Sequence, residues 1–345
     1  VVALRVALGL AAWIGLLIAG PAVIDGRQLP PPSNGLVSAL IDPWQRWDSW
    51  HYETVATQGY TSGSFEVAFL PLYPMLIRAA IPLVAGSAAL AGLVVSTIAA
   101  VASLVLVHRR VAADLGDPVA RRTVLFLVVA PTAMFLVAPY TESVFLALSA
   151  GAFLALHRRR WLLAGGLIAA AALTRPQGLL LLVPAIVEAW PPRQRQWQRL
   201  RRLAAVGALP AIAFAAWVLW TARAVGITTF AAEEQGWGGH LAWPWQGFVD
   251  GLTSTSAYPG PIYNAATVVL WVGLIAVLIR ARHRVPLSYP AYAVASLLPV
   301  VFREEGFGNP WASAPRFALV VFPLFVAVVL LTEHRPRLSA AWEVV

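Results

Sequence analysis

The chain has no cysteine and no lysine, and only 12% of its 345 residues are charged. The missing cysteines exclude a disulfide-stapled module and a cysteine-built zinc domain, and they leave the redox compartment unread. The missing charge says more. Soluble domains are about one-quarter charged, whereas here 59% of residues are hydrophobic and the mean hydropathy is +0.71. A soluble globule of this length cannot hide so much apolar surface. The composition therefore excludes that class, and disordered chains with it, and points to an integral membrane protein. Several catalytic signatures are also missing: the Walker A loop, the three-glycine dinucleotide fingerprint, the G-x-S-x-G elbow and HExxH. Without a Walker A loop the chain does not read as an ATP-driven pump.

The charge that is present is one-sided. All 25 basic residues are arginine, against 16 acids, giving a net charge of +9. The excess does not read as a nucleic-acid surface, because the arginines sit in short clusters between apolar runs, as membrane topology requires. An arginine-only chain rich in Ala, Val, Leu and Gly suits a GC-rich bacterial genome.

Ten runs have the character of spans: 3–24, 87–107, 123–138, 143–156, 161–173, 178–190, 203–222, 263–279, 286–302 and 316–332. A span needs about 20 apolar residues, so the third to sixth must borrow polar neighbours. Gly20-Pro21-Ala22 makes a poor cleavage site, and the first run is read as a helix, not a signal peptide. The run 69–85 is apolar but holds Pro71, Pro74, Pro82 and Arg78. If it does not cross, 18 of the 25 arginines fall on the cytoplasmic side; if it does, the later clusters flip outward. The positive-inside bias rejects the flip, so 69–85 is expected to lie in or re-enter the interface. The expected fold is an all-α polytopic membrane protein of about ten transmembrane helices, with interfacial helices in the first outer loop. It is a single domain over 1–345 in the bacterial plasma membrane, with both termini cytoplasmic. Outer segments are 25–86, 139–142, 174–177, 223–262 and 303–315. The basic stretch 193–202 is expected only to anchor to anionic headgroups.

Eleven of the 16 acids fall in outer segments. The sharpest cluster is Asp42-Pro-Trp-Gln-Arg-Trp-Asp48-Ser-Trp-His51-Tyr52-Glu53. A helix over 43–57 would put Trp44, Trp47, Asp48, His51 and Tyr52 on one face. One reading is an interfacial anchor with Asp48 solvated or paired to Arg46. The other is a carboxylate held in an aromatic wall, able to act as general base toward a hydroxyl. Glu142, between two short spans, either caps the next helix or lines a wet cavity. Arg175 defies the positive-inside rule and is either an anion clamp or a snorkelling side chain. Arg316, opening the last span, either holds a phosphate or pairs with Glu304 or Glu305. Segment 223–262, with Glu233, Glu234, Trp237 and His240, has the size of a lid. The six histidines match no zinc spacing. Glu304 with Glu305, or Asp48 with Glu53, could hold a divalent cation, and the chain is otherwise expected to need no cofactor.

These blocks resemble, in order, those of the PIG-V-type mannosyltransferases. Trp47-Asp48-Ser-Trp-His51-Tyr52, Gln58-Gly-Tyr60 and Phe69-Leu-Pro71-Leu-Tyr-Pro74-Met-Leu-Ile-Arg78 are similar to their first-loop block. Ala138-Pro-Tyr140-Thr-Glu142-Ser143 and Thr174-Arg175-Pro-Gln177-Gly178 resemble the next two, and Pro315-Arg316-Phe317 the last. The resemblance implies a GT-C-type glycosyltransferase that uses a polyprenyl-phosphate mannose donor and no nucleotide sugar. It puts Asp48 at the catalytic-base position, with Trp47, His51, Tyr52, Arg78, Tyr140, Glu142, Arg175, Gln177 and Arg316 lining the donor and acceptor cavity. The expected acceptor is a lipid or glycolipid, the reaction a single inverting displacement, and the site extracytoplasmic. A flippase for lipid-linked sugars is the alternative. It would carry charges at mid-membrane and show two related halves.

Overall fold

The structure, a computed structural model, describes residues 41, 44–190, 195–253, 261–304, 311 and 313–333, with two short strands at 23–24 and 27–28. The expected first span 3–24 lies outside these residues except for Val23–Ile24, which pairs antiparallel with Arg27–Gln28. Asp25, Asp42, Glu305, Arg193 and the C-terminal arginines also lie outside them.

The described chain is a bundle of helices. In order they are α1 (Asp48–Gln58), α2 (Leu72–Ala80), α3 (Ala88–Leu115), α4 (Asp117–Val129), α5 (Glu142–His157), α6 (Trp161–Ala172) and α7 (Leu182–Ala189). Then come α8 (Gln196–Trp220), α9 (Thr229–Trp237), α10 (Pro244–Thr253), α11 (Pro261–Arg280), α12 (Ser288–Val301), α13 (Ala314–Leu319) and α14 (Phe322–Thr332). Among the described residues three helices are long and apolar enough to cross a membrane: Ala88–Leu115, Gln196–Val225 and Ile262–Arg280. Shorter apolar helices lie at five other expected spans, 143–156, 161–173, 178–190, 286–302 and 316–332, while 123–138 is divided between α4 and a 3-10 turn, Ala133–Leu136. The expected run 69–85 becomes α2 and a 3-10 turn, Ile81–Leu83. Leu72–Leu83 at 1.5 Å per residue reaches only about 18 Å, well short of the roughly 30 Å hydrocarbon layer.

Local chemistry sets the helix ends. The Ser87 hydroxyl accepts from the Leu90 N–H and caps α3. The 28 residues of α3 then run unbroken to Gly116, where φ is +87°. In α8 the helix continues past Pro210 into a π turn, Thr221–Val225, and stops at left-handed Gly226. Helix α5 is the hub, packing on α3, α6 and α7. The core is apolar and aromatic, with Phe153 edge-on to Tyr289 and Phe322, and Trp271 fully buried. The outward faces are apolar too: Ile98, Ile212 and Val269 are each about two-thirds exposed, as lipid-facing surfaces are.

One polar cluster interrupts the packing at the end where α3 finishes. Arg110 donates to Asp114 and lies 3.0 Å from His157 Nδ1, while Tyr289 donates to Asp114 at 2.7 Å. Ser288 donates to Glu188 at 2.6 Å. This network ties α3, α5, α7 and α12 together.

Candidate active site

At the opposite end of the bundle, four elements distant in sequence converge. The first is α1. The expected helix over 43–57 begins later, at Asp48. A turn at 44–47 intervenes, in which the Arg46 N–H bonds the Trp44 carbonyl. Trp44 therefore leaves the shared face and is buried with Leu93, Val137 and Tyr140. Trp47 takes φ +47°, a costly conformation for a non-glycine residue, and its indole is exposed, away from the cavity lining. The strained turn aims Asp48 inward. One turn on, buried Tyr52 meets Phe69 and Tyr73 edge-on. Burial first, then the Asp48 charge, pushes the Tyr52 phenol up from its ordinary pKa, so it stays a neutral donor.

The second element is the start of α5. The Tyr140 hydroxyl donates to the Arg46 carbonyl at 2.9 Å and pins the Asp48 turn. Glu142, the first residue of α5, is fully buried. The third is the turn after α6. Gly178 packs against the backbone of Ala171 and Ala172 so closely that a Cβ there would overlap both. That fold-back, opened by Pro176, sets extended Arg175 across from Glu142: Nη1 donates to Oε1 at 2.9 Å. The fourth is α13. Its approach through Ser313 at φ +65° brings in Arg316.

Arg316 is the centre of the arrangement. Its Nη1 donates to Asp48 Oδ2 at 2.6 Å, and its Nε donates to Glu142 Oε1. Its guanidinium also covers the Tyr140 ring at 4.5 Å, while Arg175 lies over Phe317 at 4.8 Å. One Glu142 oxygen thus receives both arginines, and the other, Oε2, is buried without a hydrogen-bond partner. Asp48 pairs with Arg316, and Arg316 with both Asp48 and Glu142. Arg175 is buried and does not snorkel outward.

In front of these groups is a chamber of about 130 Å³, lined by Asp48, Tyr52, Arg175, Gln177 and Arg316. Glu233, Trp237 and Arg303 complete it. Sequence reading placed Glu233 and Trp237 in a segment the size of a lid and Arg303 in the last outer segment, and named none of them as a site residue. The signal available was their position on the segments flanking α11 and α12. Arg303 Nη1 donates to Glu233 Oε2 at 2.8 Å. Burial raises the Glu233 pKa, with Arg303 opposing that rise. The 223–262 segment reaches the chamber because α9 packs on Phe65, which leaves no room for a side chain at Gly236, and because His240–Leu241 pairs with Arg303–Glu304. A second cavity of about 610 Å³, more apolar, shares Pro176, Gln177, Glu233 and Arg303 with the first. The buried Gln177 Oε1 has no hydrogen-bond partner, so an unused acceptor stands at this junction.

The structure therefore brings together Asp48, Tyr52, Glu142, Arg175, Gln177 and Arg316, with Tyr140 behind them. It does not bring in Trp47 or Arg78, which is exposed on α2. His51 is adjacent, stacked on Phe69 at 4.6 Å with Nδ1 3.4 Å from Glu66. Asp48 and Glu53 face different partners, Glu53 accepting from Gln45 at 3.0 Å. Among the described residues no three His, Asp or Glu gather as a cation site.

The chain's fold matches the crystal structure of ArnT from Cupriavidus metallidurans bound to undecaprenyl phosphate, with a TM-score of 0.55 at 15% identity. The match covers 95% of this chain and 60% of that one, so the chain spans under two-thirds of that neighbour's length. No curated protein matches the chain. At that identity the match shows a shared fold. Residues 26–188, just under half of the chain, match the family model described as mannosyltransferase (PIG-V).

Proposed function

We propose that the chain transfers a mannosyl residue from a polyprenyl-phosphate mannose to a lipid-linked or glycolipid acceptor, on the extracytoplasmic face of a bacterial plasma membrane, with Asp48 as general base and no cofactor. The observation that carries this reading is the pairing of Asp48 with Arg316 on the wall of an arginine-lined chamber. Transfer from a lipid phosphate needs two things: a base for the acceptor hydroxyl, and cations for a departing phosphate.

The electrostatics fit one displacement. Three guanidiniums, Arg175, Arg303 and Arg316, face three carboxylates, Asp48, Glu142 and Glu233. The acceptor oxygen attacks the anomeric carbon, and the bond from that carbon to the phosphate oxygen breaks. The hydroxyl proton passes to Asp48. Asp48 loses its charge as the leaving polyprenyl phosphate gains its second, and Arg316 exchanges one anion for the other. The attack inverts the anomeric centre, so a β-linked donor gives an α-mannoside. Glu142, held behind Arg175 and Arg316, positions the two cations. The larger, more apolar cavity receives the acceptor or the polyprenyl chain, and the 223–262 segment covers it.

The test uses purified protein in lipid, with labelled polyprenyl-phosphate mannose and a membrane-lipid extract. Asp48→Asn loses transfer by about 10²- to 10⁴-fold while donor binding persists. Transfer at the wild-type rate in Asp48→Asn refutes the base assignment. Donor binding by wild type without transfer to any acceptor favours a flippase instead.

A further inference from the structure

Beyond that reading, we propose that the end of the bundle farthest from the Asp48 chamber carries a specific site for an anionic phospholipid headgroup, in the groove between the first turns of α6 and α8. Helices α6 and α8 pack nearly backbone to backbone at Gly165, where a Cβ would press on Ala205 and Val206. From that contact they diverge toward their N-termini and enclose a cavity of about 620 Å³, which is in the size range of small-molecule sites.

The lining has the chemistry of a lipid phosphate site. Arg160, Arg201 and Arg202 contribute three guanidiniums, and among the described residues no carboxylate lines the groove. Two of the arginines are oriented by tryptophans: Arg202 lies over Trp161 at 4.9 Å and Arg201 over Trp197 at 5.2 Å. Stacking fixes the plane of each fork and leaves its N–H edges free to donate to phosphate oxygens. Tryptophans sit at headgroup depth in membranes, and basic pockets between helices there bind lipid headgroups. Leu162, 77% exposed, and Leu163 give an acyl chain an apolar path out of the same groove. A free anion would use the arginines but not this path, so the occupant is a phospholipid.

The experiment is native mass spectrometry of delipidated full-length protein, titrated in separate arms with a short-chain phosphatidylglycerol, a short-chain phosphatidylcholine and inorganic phosphate. Wild type is expected to retain one phosphatidylglycerol in preference to phosphatidylcholine and to be indifferent to phosphate. Replacing Arg160, Arg201 and Arg202 by Gln together weakens that binding on the order of 100-fold, a factor of about 5 per arginine. Replacing Arg109, Arg280 and Arg282 by Gln removes the same charge elsewhere and leaves binding unchanged. Leu162→Glu, at an exposed position that does not threaten folding, places a carboxylate in the groove and also abolishes binding. Equal losses in the two triple variants would overturn the site in favour of diffuse attraction. Displacement of the lipid by inorganic phosphate would overturn the lipid assignment. Neither result bears on transfer at Asp48, which is read separately.

Discussion

Replacing Glu142 with glutamine tests the central claim about the site, that one buried carboxylate holds two arginines in place. The change keeps shape and removes one charge. Glu142 is fully buried and its Oε1 receives both Arg175 and Arg316. Removing one partner of a buried ion pair typically costs about 3–5 kcal/mol, because the remaining charges lose their compensation. Two guanidiniums then share a neutral acceptor and repel one another, so the lower end, about 3 kcal/mol, is a conservative expectation. Arg316 keeps a second anion in Asp48 at 2.6 Å. It should turn fully onto that carboxylate and occupy the base. Turnover is expected to fall about 10²- to 10³-fold, the usual effect of losing a preorganised electrostatic contact. The thermal midpoint in lipid nanodiscs, followed by tryptophan fluorescence, reports stability, and mannosyl transfer reports turnover. A double variant, Glu142→Gln with Arg175→Gln, should recover at least about 1 kcal/mol relative to the sum of the singles, since contacting charges couple. Strict additivity, or a Glu142→Gln protein with wild-type midpoint and turnover, would refute the two-arginine clamp.

Other outcomes follow from single contacts. Gly178→Ala should lower turnover more than donor affinity, because its Cβ overlaps Ala171 and Ala172 and must push the Arg175 turn outward; unchanged kcat would show that the turn is not constrained. Asp114→Asn removes the partner of buried Arg110 and the acceptor of Tyr289. It should cost about 3 kcal/mol with kcat intact in the folded fraction, read by melting and by single-turnover transfer. Burial pushes the Glu53 pKa from an ordinary 4.5 to about 7, with the Gln45 hydrogen bond opposing. The folded chain then holds a proton that the unfolded chain has lost, so stability falls as pH rises between 4.5 and 7. The interval sets a ceiling near 3 kcal/mol, trimmed to about 2 kcal/mol by the residue's partial exposure. Glu53→Gln should flatten that decline, and a melting profile as steep as wild type would rule Glu53 out as its source.

The sequence-based reading carried far where the signal was compositional. Sparse charge, arginine clustering and run lengths gave the helical membrane class. The proline-broken run after Phe69 was set apart on its prolines, Arg78 and the charge bias; its helical length, Leu72–Leu83, matches that of Trp161–Ala172 and does not by itself separate the two. Reading was weaker where several distant contacts decide. The run of aromatic residues from Trp44 suggested a continuous helix face. The chain instead turns at Trp47, at a conformational cost offset by contacts that include those of Tyr140 and Arg316. Glu233 and Arg303 carry no motif, and only the packing of α9 and the strand pair beside Arg303 reveals them as chamber walls. Arg316 lies outside the matched family region of 26–188, yet it makes the central contacts.

That last placement has a consequence for how the protein matures. Asp48 and Arg316 are separated by 268 positions, and Glu142 and Arg316 by 174. Chains are threaded into the membrane from the N-terminus as they are synthesised. Two acids that need a cation are therefore in place well before the residue that supplies it has left the ribosome. A nascent or truncated chain lacking α13 leaves Asp48 and part of the Glu142 charge uncompensated. Docking of the last helices is then the event that removes this polar defect from the bundle and completes the chamber wall.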